Sequence, residues 1–141
     1  MPRISFYFNA PSTPDLLRKL AAKSWEAGLS TLIYTADAEQ AARIDRDLWI
    51  QPQLAFIPHA RCGSAVACET PILIGEVADA LPRFDLLINA GNTPPPCIDR
   101  FARLIEMVST DEADRNRGRA LYKHYRAQGY EIENFDLAKP A

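Results

Sequence analysis

Cysteine is scarce in this sequence and irregularly placed: Cys62, Cys68 and Cys97 form no CxxC pair, and the two histidines, His59 and His124, stand far apart. Thiols in odd number and without paired spacing argue against a disulfide framework and against a structural zinc site, leaving reduced, partly buried thiols as the simple reading. Long apolar runs are missing as well. Stretches such as Pro71–Gly75 and Leu86–Ala90 fall far short of the ~20 residues that cross a bilayer. The opening "MPRISFYF" lacks the apolar core of a secretory signal. The expectation is a cytoplasmic protein with no membrane contact.

Glycine is absent from one place where a nucleotide site would need it. The turn after the first strand-like run reads "FNAPSTPDLL", whereas dinucleotide phosphates require glycines there so that the backbone can approach them. "NAGNTPPP" (89–96) matches neither a Walker loop nor a nucleophile elbow. Carboxylates are scattered singly over expected solvent faces, and no third group orients the neighbouring Cys62 and His59. The sequence therefore offers no catalytic constellation and calls for no cofactor or metal.

What is present is an alternation of β-rich and helical segments in a chain of 141 residues, the length of one domain with a proper core. "ISFYF" (4–8) reads as a strand. Thr13-Pro14-Asp15 supplies an N-cap, a proline in the first turn and an acidic start to a helix that stops at Gly28. "STLIYTA" (30–36) is a second strand, and Asp37 with Gln40 resembles a capping box opening a second helix. "LAFIP" and "PILIG" suggest short strands, and "FDLLINA" (84–90) a buried one. Phe101, Leu104, Ile105 and Val108 fall at helical spacing, which predicts a helix over 97–108. A last helix follows to about Gln128, with Gly129 behind it and residues 131–141 as a tail. Strands alternating with helices predict a three-layer α/β/α Rossmann-like domain with a mostly parallel sheet.

The last helix carries a charge anomaly. The chain has a formal net charge of −2, yet Arg115 to Arg126 holds five Lys/Arg residues and no carboxylate. At 100° per residue, Arg115, Arg119, Tyr122, Lys123 and Arg126 fall within an arc of about 100°, with Leu121 and Tyr125 beside it toward the core. Cations gathered around one tyrosine suit a ligand with carboxylates and an aromatic or apolar end. Acidic Asp111, Glu112 and Asp114 at the helix start and basic residues at its end would also follow from the helix dipole alone.

Several stretches carry a family resemblance: "FYF" in the first strand, "AAKSWEAG", "DAEQAARIDRDLWIQPQLAFIPH" and "RGRALYKHYRAQGY". In their order and spacing the chain resembles the chi subunit of bacterial DNA polymerase III, an accessory protein of the clamp loader. The resemblance implies a non-catalytic parallel α/β domain with two protein partners and only indirect contact with DNA. One partner is the acidic, phenylalanine-ended C-terminal tail of single-stranded-DNA-binding protein, whose site carries over to Arg119, Tyr122, Lys123 and Arg126, with Arg115 alongside. The other is the psi subunit, whose surface carries over to Trp49 and Phe56; both could also be core residues. The competing expectation is a small-molecule or nucleotide-binding domain with a site near Asp37 and Asn89–Pro94.

Overall fold

The computed structural model describes residues 3–50, 59–61, 72–75, 84–91, 94–95 and 98–137. Among these residues seven strands form one sheet: β1 (Arg3–Ala10), β2 (Thr31–Tyr34), β3 (His59–Arg61), β4 (Ile72–Gly75), β5 (Phe84–Asn89), β6 (Phe101–Ser109) and β7 (Ile132–Asp136). Their order is β3-β4-β2-β5-β6-β1-β7, and every pair is parallel. Helices α1 (Thr13–Glu26) and α2 (Ala38–Ile50) cover one face, while α3 (Glu112–Ala127) covers the other. This is the expected three-layer α/β arrangement.

Local chemistry explains the helix boundaries. The α1 cap is Ser12 rather than Thr13: its Oγ accepts the Asp15 N–H at 3.3 Å, and Pro14 falls inside the first turn. Asp37 caps α2, its Oδ1 accepting the Glu39 N–H at 2.9 Å. Gln40 does not complete a capping box. Its amide Nε2 donates instead to the Ala90 carbonyl at 2.7 Å, pinning α2 to the end of β5. Asp111 caps α3 in extended conformation, and Gly129, at φ +86°, lets the chain turn back so that the Tyr130 N–H reaches the Tyr125 carbonyl.

Two expectations are corrected. Within the expected helix over 97–108, the described residues are not α-helical: Ile98–Arg100 is a 3-10 turn and Phe101–Ser109 is strand β6. β6 lies between β5 and β1 and is buried on both faces, so its apolar positions run almost without interruption and mimic a helical stripe. Likewise, most of 131–136 is not a tail. Ile132–Asp136 pairs in parallel with β1, placing Ile132 against Ile4 and Phe135 against Tyr7, with which it stacks at 4.8 Å. At the opposite edge, the described strand is His59–Arg61, within the expected loop, while "LAFIP" lies outside the described residues.

Register places matched residues in rungs across the sheet. On the α3 face, Leu73, Leu32, Leu87, Leu104, Ile4 and Ile132 form one apolar rung over six strands. The next rung toward the carboxyl ends reads Gly75, Tyr34, Asn89, Glu106, Phe6 and Asn134. Polar side chains thus enter the core just where α3 lies over it.

Candidate functional site

Helix α3 divides its residues cleanly. Leu121 and Tyr125 are buried against the sheet, whereas Arg115, Arg119, Lys123 and Arg126 are exposed and Tyr122 is half-buried between the two sets. Among the described residues none of these four cations forms a salt bridge; Arg119 holds only the Asn116 side chain, at 2.9 Å. The fifth cation of the run, Arg117, does different work. Its Nε donates to Asp114 at 2.7 Å and its Nη2 to the Met107 carbonyl at 2.6 Å, tying the first turns of α3 to the end of β6. Burial alone would raise the Asp114 carboxyl, but bonds from Arg117 and the Ser109 N–H outweigh it and hold it below its ordinary range.

Beside the cationic face opens a pocket of about 240 Å³ between α3, β1 and β7. Phe6, Phe8, Val108, Gly118 and Tyr122 supply its apolar walls, Arg115 and Arg119 stand at one side, and Asn9 and Asn134 at the other. The structure therefore brings Arg115, Arg119 and Tyr122 together around one cavity, while Lys123 and Arg126 lie outside its lining. Two backbone features shape it. Gly118 permits close approach, since a Cβ there would stand 2.7 Å from Val108 Cγ2. Asn9 sits at φ 61°, where the β1–β6 register shifts, and donates its amide to Asp136 at 2.8 Å. Tyr122 is steadied by Phe6, edge to face at 5.3 Å.

The sequence reading found the helix stripe but not the partners that turn it into a cavity. Phe6, Phe8 and Asn134 come from remote strands, and Gly118 bore no recognisable signal within a helix. Glu106 was missed too, although a lone carboxylate inside "LIEMV" is the pattern a buried acid leaves in a strand. Trp49 lies on the last turn of α2, but its side chain and all of Phe56 fall outside the described residues.

A second cleft, of about 350 Å³, lies at the carboxyl ends of β5 and β6, between α1, α2 and the start of α3. This is where parallel α/β domains commonly hold ligands. Asn89 lines it with Arg18, Arg43 and Arg117, but Asp37 is not among the lining residues. Many of its polar groups are already engaged. Arg18 pairs with Asp15, Arg117 is held as above, and Asn89 donates to Glu106 at 2.8 Å and accepts the Gly91 N–H at 2.9 Å. No described helix is long and apolar enough to span a membrane, and no metal-binding cluster occurs among the described residues.

The described elements thus make a parallel three-layer α/β domain with a cationic helix face, centred on Tyr122, beside an apolar pocket. The sequence profile of the family "DNA polymerase III chi subunit, HolC" matches residues 1–133. The chain belongs to that family of replication proteins. It is similar to DNA polymerase III subunit chi of Pseudomonas aeruginosa, at 30% identity over 99% of both chains. The same subunit of Haemophilus influenzae is 36% identical over 84% of this chain and 83% of its own. That of Escherichia coli is 28% identical over 84% of this chain and 81% of its own. Among solved structures, a complex of a Saccharomyces cerevisiae Dbp5 variant with Nup159, a Gle1 variant, IP6 and ADP contains a chain matching 99% of this one. Its TM-score is 0.61 at 12% identity, and this chain spans 42% of that one, a likeness of fold alone.

Proposed function

We propose that this protein is a non-catalytic cytoplasmic adaptor of the replication machinery. Its α3 face receives the acidic, phenylalanine-ended tail of single-stranded-DNA-binding protein, and a second surface including Trp49 and Phe56 joins the psi subunit of the clamp loader. The observation that supports the tail site is the pocket between α3, β1 and β7. It pairs an apolar recess lined by Phe6, Phe8, Val108 and Tyr122 with the guanidinium groups of Arg115 and Arg119. The recess offers burial to the terminal phenylalanine, and the arginines offer paired hydrogen bonds to its carboxylate. Lys123 and Arg126, further along the helix, extend the positive field over the preceding aspartates. A peptide of several aspartates ending in phenylalanine should bind in a fluorescence anisotropy titration and lose nearly all affinity when its terminal phenylalanine is deleted. Absence of binding at low salt would overturn the tail site.

The larger cleft at the strand ends favours one other reading, a small-molecule site. A thermal-shift series with nucleotides separates the two: stabilisation by a nucleotide together with indifference to the peptide would favour the cleft.

A further inference from the structure

Glu106 stands in the middle of the sheet with its side chain fully buried. Its Oε2 accepts two hydrogen bonds, from the Tyr125 hydroxyl at 2.5 Å and from Asn89 Nδ2 at 2.8 Å. Oε1 has no hydrogen-bond partner among the described residues; the Arg117 guanidinium stops 3.8 Å away. The carboxyl also lies next to the α3 pocket. Phe6 is its cross-strand neighbour, Val108 follows two residues later on the same face, and both line the pocket. Tyr125, which donates to Glu106, packs on the same Phe6 ring that steadies Tyr122.

We propose that Glu106 sets the affinity of the α3 pocket for acidic, carboxylate-ended peptides: its neutral carboxyl admits them, and its buried carboxylate opposes them. This rests on reading the α3 face as a tail site. A charge beneath the pocket floor is shielded little by salt, unlike the exposed cations above it. Two unit charges on the order of 10 Å apart, at an effective dielectric near 20, alter binding about tenfold, and Arg117 offsets part of that. By reciprocity, a bound anionic peptide favours the protonated form of Glu106.

The proton equilibrium falls in a useful range. Burial raises the Glu106 carboxyl to about 7, against the opposing pull of Tyr125, Asn89 and Arg117 and with a small push from Asp114. Facing it from α3 are Tyr125, Arg117 and Asp114; Asn89 of β5 and Phe6 of β1 carry no charge. Tyr125 is raised by burial and by Glu106 itself, and Asp114 is lowered, so both keep their charge state between pH 6 and 8. His124, exposed on the same helix, supplies a control substitution.

The test uses the full chain and a fluorescent peptide of aspartates ending in phenylalanine, titrated by anisotropy at pH 6 and pH 8 at fixed salt. The peptide's carboxylates stay ionised throughout. The native protein should bind about three- to tenfold more weakly at pH 8. Glu106→Gln should abolish the difference, and His124→Gln should preserve it. An undiminished slope in Glu106→Gln, or loss of the slope in His124→Gln, would overturn the proposal. Should Glu106→Gln fail to fold, Tyr125→Phe removes a hydrogen bond that favours the ionised form. It should move the midpoint of the pH profile upward, and an unmoved midpoint would count equally against the proposal. Binding at neither pH would sink the tail site itself, whereas binding without a Glu106-dependent slope sinks only this inference.

Discussion

At the scale of single residues, a carboxyl group in the core makes stability depend on acidity in an unusual direction. Glu106 binds its proton more tightly in the folded state, near 7, than an unfolded glutamate near 4.5. Between those values the native state holds a proton that the unfolded state has lost, so stability falls as pH rises and levels off above about 7. The span corresponds to about 3 kcal/mol. Urea denaturation from pH 4.5 to 8 should show that decline in the native protein relative to Glu106→Gln, which lacks the linked proton. Asp114 works the other way, its contribution being lost as pH falls through its lowered value. Gly118 gives a second prediction at this scale. Alanine favours helix by about 1 kcal/mol, but here its methyl would meet Val108 Cγ2 at 2.7 Å. Valine is stiff at χ1, so Gly118→Ala should lift α3 from β6, lower the melting temperature and weaken peptide binding. Neither residue stood out in the sequence. A glycine mid-helix and a glutamate mid-strand both look like local faults until the tertiary contact explains them.

At the scale of elements, α3 was legible because one amphipathic period governs it from cap to cap. Its inner residues, Leu121 and Tyr125, and its basic outer stripe follow directly from 100° steps. Arg119→Ala or Lys123→Ala should each cost the peptide roughly 1–2 kcal/mol if they act as interface hot spots, leaving the melting temperature unchanged because both are exposed. Strand β6 was illegible for a complementary reason. Phe101, Leu104, Ile105 and Val108 satisfy a helical template, and a strand buried on both faces imposes no alternation to contradict it. Strand β7 was hidden by its polarity. "EIENFD" has only two apolar residues, as befits an edge strand, and its hydrogen bonds come from β1. Truncation after Tyr130 removes Asn134 from the pocket and uncovers the edge of β1. Such a variant should melt lower and bind the peptide less well, by thermal denaturation and anisotropy respectively.

At the scale of the whole molecule, charge is distributed rather than abundant. A net charge of −2 with one basic helix face gives a local positive field on an otherwise acidic body, which suits an acidic peptide and gives little general attraction for nucleic acid. Peptide affinity should therefore fall as salt rises. Single-stranded DNA added without its binding protein should bind more weakly than the peptide; steeply salt-dependent binding to DNA alone would place the basic face on the nucleic acid instead.

The position of β1 has a consequence for how the protein is made. Arg3–Ala10 is synthesised well ahead of both strands it pairs with, β6, ending at Ser109, and β7, ending at Asp136. The first strand must wait, unpaired, while some hundred residues follow it. Closure of the sheet around it is a long-range event, of the kind that slows folding and leaves apolar strands open to wrong partners. The pocket can close only once α3 and β7 have been made, since Phe6 and Phe8 line it together with Tyr122 and Asn134. A nascent chain thus lacks the recess until translation has passed β7.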